Sequence, residues 1–76
     1  MLKADGFDEA IIGLGFSFGR EKVLVYDAGL IVDKLMERDG MDEEEAFDFF
    51  NFNIMGSYNG EGMPTFLFRH YDLKED

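Results

Sequence analysis

A chain of 76 residues with nine Phe, three Tyr and no Cys allows one small domain, and it excludes disulfides, thiolate zinc sites and a cysteine nucleophile. Seventeen acidic residues against seven basic give a formal net charge of −10. That field repels phosphate backbones and anionic membranes, so neither direct nucleic-acid binding nor membrane binding is expected.

The first segment, Phe7 to Gly19, admits two readings. Asp8 is placed to cap a helix whose apolar positions Ile11, Leu14 and Phe18 fall at i, i+3 and i+7. Gly13 and Gly15 oppose it, since each costs about 1 kcal/mol inside a helix. The alternative is a strand over 10–16. The spacing favours a short N-terminal helix.

Val23-Leu24-Val25-Tyr26 is a continuous β-prone apolar run between Lys22 and Asp27, which predicts a buried strand. Asp27 then caps a helix with Ala28, Ile31, Val32, Leu35 and Met36 on one stripe, and Gly40 is suited to a left-handed C-cap. Asp42 followed by Glu45 has the capping-box spacing and opens a second helix running to about Gly56. Met41 and Ala46 stand where a hydrophobic staple would form. Residues 57–64 read as a loop with an Asn59-Gly60 turn, Thr65 to Phe68 as a strand, and the remainder as a charged tail.

The predicted architecture is therefore α+β: a small sheet of two strands, or three if 10–16 is extended, covered by a helical hairpin, with a short N-terminal helix. One domain spans 1–76, with an ordered core at about 7–69 and a charged C-terminal tail at 70–76. Two strands alone are marginal in water, which is a reason to look for another chain that extends the sheet or covers the helices. The absence of cysteine fits a reducing, cytoplasmic setting. No apolar stretch follows the opening residues, and the apolar run at 10–16 is interrupted by glycines and too short to span a bilayer.

The helix at 42–55 is the most informative element. At 100° per residue, Ala46, Phe47, Phe49, Phe50 and Ile54 form a broad core face, with Asn53 inside the arc. A buried Asn53 amide would have to tie down the following loop. Phe52 and Met55 fall outside the arc, beside Asp48. Either the loop and tail cover them, or Phe52 anchors a partner. The candidate partner-binding set is Phe52, Met55, Asp48 and Glu44.

Other chemistry finds little support. An EF-hand built on Asp39-Gly40 would put Leu35 and Ala46 at ligand positions, so the 42–45 carboxylates read as helix caps. Gly13-Leu14-Gly15-Phe16-Ser17-Phe18 lacks the third glycine of a dinucleotide fingerprint, and Gly60-Glu61-Gly62 lacks the lysine of a phosphate loop. His70 is the only histidine and has no evident orienting group. A DNA-reading helix beginning Glu43-Glu44-Glu45 would repel phosphates. No catalytic residue, metal ligand or cofactor is therefore expected.

Several segments resemble a group of small uncharacterised acidic proteins of tailed bacteriophages. They are Val25-Tyr26-Asp27, Leu35 to Met41, Glu44-Glu45-Ala46, Phe49-Phe50, Phe52-Asn53, Gly56, Gly60-Glu61 and Pro64-Thr65-Phe66. The likeness runs from about Asp8 to Phe68 and departs after Gly56, where Ser57-Tyr58 stands in place of an aromatic such as Trp. The last loop departs as well, reading Met63-Pro64-Thr65. No activity comes with the resemblance. It implies a viral gene acting in the cytoplasm of a bacterial host. With the charge, it points to a non-enzymatic accessory protein that binds a basic surface on a host protein, as an inhibitor or an acidic mimic aimed at a nucleic-acid-handling or defence protein. The alternative is a structural homo-oligomer or minor virion component, with a small ligand-binding domain or enzyme behind both.

Overall fold

The computed structural model describes residues 2–57 and 62–69. The chain runs through a 3₁₀ turn at Asp8–Ala10, strand β1 (Ile11–Gly15), strand β2 (Val23–Asp27), helix α1 (Ala28–Asp39), helix α2 (Glu43–Phe49) and strand β3 (Thr65–Leu67). Past Phe49, α2 continues as a π-helical turn (Phe50–Ile54) and a 3₁₀ turn (Met55–Ser57). The sheet order is β1-β2-β3, with β1 antiparallel to β2 and β3 parallel to it. This is a three-stranded mixed sheet with two helices, the expected α+β class.

Both caps of α1 form as predicted. The Asp27 carboxylate accepts from the Leu30 N–H at 3.1 Å, and Gly40 ends the helix at φ +70°, a conformation that only glycine takes without strain. The α2 capping box is complete: the Glu45 N–H donates to Asp42 at 2.8 Å, and the Asp42 N–H donates to Glu45 at 3.1 Å. Ala46 is buried, and Met41 packs against the same core.

Alternation along β2 decides which face is covered. Tyr26 and Leu24 point to the helices, and Phe66, the register partner of Tyr26, joins them. The core they form holds Ile31, Val32, Leu35, Ala46, Phe50 and Ile54 from the helices. It also takes Ala4, Phe7 and Ala10, so it begins earlier than residue 7. The Ala4 N–H donates to the buried Tyr26 hydroxyl at 2.8 Å, which fixes that opening segment. The Arg38 guanidinium lies 5.1 Å from the Phe7 ring centre, and Lys34 pairs with Glu9 at 2.8 Å.

The Phe7–Gly19 segment is not a helix beyond one 3₁₀ turn. It forms β1, with a bulge between Ile11 and Gly13. Gly15 suits a strand for a packing reason, since a Cβ there would stand 3.0 Å from Cγ2 of Val25 across the ladder. Met36, expected on the buried stripe of α1, is exposed at its edge. His70 and the tail from 70 onward, together with Asn59-Gly60 and the 58–61 part of the loop, lie outside the described residues.

Candidate interaction face

α2 is held to the sheet by aromatic contacts from one side. Phe50 is fully buried and meets Phe66 and Phe68 edge-on, with ring centres 5.3 and 5.9 Å apart. Phe47 stacks on Phe68 at 5.8 Å, and Tyr26 lies 5.6 Å from Phe66. These rings occupy the inward side of the helix, so aromatics on its other side have no core to enter.

The winding changes at Phe50. The Met55 N–H is shared between the carbonyls of Phe50 and Asn51, the wide pairing of a π turn. Each residue there advances by less than the 100° of an α-helix. That swings Asn53 out of the core arc, and it is exposed rather than buried. The link from this helix end to the next turn runs through the Asn53 backbone instead: its carbonyl accepts from the Ser57 hydroxyl. Phe49, expected in the core, is also exposed.

The outward face is consequently apolar at its C-terminal end and acidic at its N-terminal end. Phe52 is 78% exposed, and Phe49 and Met55 are each exposed by more than a third. Glu44, Asp48, Phe52 and Met55 are all exposed and follow one another at spacings of four, four and three. Those are the spacings that stack side chains along one side of a helix. The four candidate residues are thus all exposed, on the part of α2 and its π turn away from the buried Ala46, Phe50 and Ile54, and Phe49, missed in the sequence because it falls within the 100° core arc, is exposed with them.

Asp27 is buried and accepts from the Arg69 Nε–H at 2.6 Å as well as from Leu30. Burial pushes the Asp27 carboxyl upward. The hydrogen bonds from Arg69 and the Leu30 amide, the Arg69 charge and the Gly29 amide together outweigh it, and the net shift is below the ordinary value. The back of the sheet carries an open groove of about 1010 Å³, with Gly15, Phe16, Val23, Val25, Met63 and Thr65 among its walls. Among the described residues, no three His, Asp or Glu side chains converge to hold a metal ion, and no helix is long and apolar enough to cross a membrane. No protein-family model, curated protein or solved structure matches the chain.

Proposed function

We propose that this chain is a non-enzymatic binding protein that docks the outward face of α2 and its π turn onto a basic, partly apolar surface of another protein. The observation that carries the reading is the exposure of Phe52, at 78%, beside Phe49 and Met55, in a helix whose neighbouring ring Phe50 is fully buried. A large ring left in water at the centre of an apolar stripe is the usual form of an interface anchor. Glu44 and Asp48 continue the stripe with negative charge, and the formal net charge of −10 adds long-range attraction to a basic partner. The resemblance to small acidic proteins of tailed phages supports a host protein as that partner, met in the host cytoplasm, with a nucleic-acid-handling or defence protein as the natural basic target.

The test is affinity capture from bacterial lysate with tagged chain, at low and physiological salt, beside Phe52→Asp and the double variant Glu44→Lys/Asp48→Lys. A single dominant protein lost with Phe52→Asp supports the anchor, with affinity falling by about thirtyfold or more. The double variant should slow association mainly at low salt, where charge steering is least screened. Capture that survives Phe52→Asp in a folded variant removes this face from the interface.

A further inference from the structure

The outer edge of β1 carries a separate surface that the α2 face does not use. β1 is an outer strand, and among the described residues only β2 pairs with it. Outer strands in water are ordinarily protected by charges, proline or bulges, and the bulge of β1 lies between Ile11 and Gly13, leaving 13–15 regular. Ala10 to Gly19 contains no charge and no proline. Its apolar side chains are exposed instead: Leu14 by 56%, Phe16 by 71%, and Phe18 fully.

The charges flanking this stretch have opposite sign at its two ends. Asp8 and Glu9 stand at the base of β1, and Arg20, Glu21 and Lys22 stand at the hairpin tip, so the tip is net positive with two cations against one carboxylate. Two parallel copies would set like charges against like. Two antiparallel copies set the acidic base of each beside the basic tip of the other. A chain of net charge −10 would otherwise resist its own copy, so this uncharged edge with complementary ends is suited to self-pairing. Lys3 reaches Asp8 at 3.2 Å and Lys34 reaches Glu9 at 2.8 Å, but both pairs are at the surface, and a carboxylate accepts more than one donor.

We propose that a second copy of this chain pairs edge to edge with β1, antiparallel across a two-fold axis, to form a continuous six-stranded sheet. A two-fold axis perpendicular to a sheet keeps side chains on matching faces only if one residue sits opposite its own copy. Leu14 is that residue, because it is the middle one of the regularly paired positions Gly13, Leu14 and Gly15 and the only one of them with a side chain. The pairing satisfies the outer edge of β1, buries Leu14 against its own copy and sets Phe16 beside the exposed Ile12 of the other copy. The α2 face is on another part of the molecule and remains open.

The cysteine-free chain makes the axis testable. Directly opposed Cα atoms in an antiparallel pair lie about 4.5–5.5 Å apart, within disulfide reach. Two residues from the axis on each chain, that separation grows to roughly 14 Å along the strands, beyond it. The native chain should sediment with twice its 8.7 kDa mass. Under mild oxidation, Leu14→Cys should form an inter-chain disulfide, while Phe16→Cys and Phe52→Cys should not. Leu14→Lys, at a position outside the core, should weaken the dimer at least tenfold, with an unchanged circular dichroism spectrum. Phe52→Asp should leave the mass unchanged, which separates this pairing from the α2 face. A native chain of single mass up to about 100 µM, open-ended larger assemblies, or equal crosslinking at all three positions would each overturn the proposal.

Discussion

The Arg69 Nε–H donates to Oδ2 of Asp27 at 2.6 Å, joining the residue group that leaves β3 to the cap that starts α1. Asp27 is therefore both a helix cap and the anchor of a distant segment. Its carboxylate is easier to ionise in the folded chain than in the unfolded one. The resulting stability is present in full above the unfolded value, near 3.8, and is lost as pH falls through the lower folded value. Urea denaturation from pH 7 down to pH 2 should show this acid limb. Asp27→Asn keeps a cap acceptor but cannot titrate, so its limb should be shallower, and an unchanged limb would assign the acid loss to other carboxylates.

Phe50 and Phe52 are two residues apart on the same helix and should respond oppositely to truncation. Phe50→Ala removes a fully buried ring that meets Phe66 and Phe68, at a cost of about 3–5 kcal/mol. For a domain this small, that threatens folding outright. Phe52→Ala removes an exposed ring and should change stability by no more than about 0.5 kcal/mol. Thermal melts of the two variants check the contrast, and comparable losses would mean that Phe52 is covered.

Tyr26→Phe leaves the core ring in place and removes only the hydroxyl that accepts from the Ala4 N–H. A buried donor left without a partner costs about 1–3 kcal/mol. The loss is local, because the opening segment is otherwise held by Phe7, Ala10 and a backbone bond from Leu2 to the Gly62 carbonyl. Amide exchange should accelerate at Ala4 before it does so in β2. Uniform acceleration would show that the hydroxyl supports the whole domain.

Gly40→Ala places a Cβ in a left-handed conformation without meeting any neighbouring atom. The cost is purely conformational, about 1–2 kcal/mol. Gly40→Asn, which tolerates that region better, should recover part of it, as read from urea midpoints.

What the sequence revealed was what is encoded locally. Asp27 and the Asp42–Glu45 pair cap helices through bonds spanning three residues, and Gly40 ends α1 by its own left-handed backbone, so local spacing alone was enough. Phe52 and Met55 were placed outside the core by the 100° projection and are exposed. The same projection failed at Asn53, because the π turn changes the angle it assumes, and no residue pattern in 50–54 announces that change. Phe49 failed for another reason: the core side of α2 was already filled by Phe47 against Phe68 and by Phe50 against Phe66. β1 was ambiguous because Ile11, Leu14 and Phe18 fit a helical stripe, while the bulge at Ile11/Gly13 breaks the alternation that would have marked a strand.

β3 lies beside β2 in space but is separated from it along the chain by both helices. The β1–β2 hairpin closes across a short turn, whereas β3 can dock only after a long segment has been brought round. Contacts of β3 therefore belong to the late part of the folding reaction. Phe66→Leu should speed unfolding and leave the folding rate nearly unchanged, in contrast to substitutions in the hairpin. The ring cluster of Phe66 and Phe68 on Phe50 then sets how long the domain stays folded rather than how fast it forms.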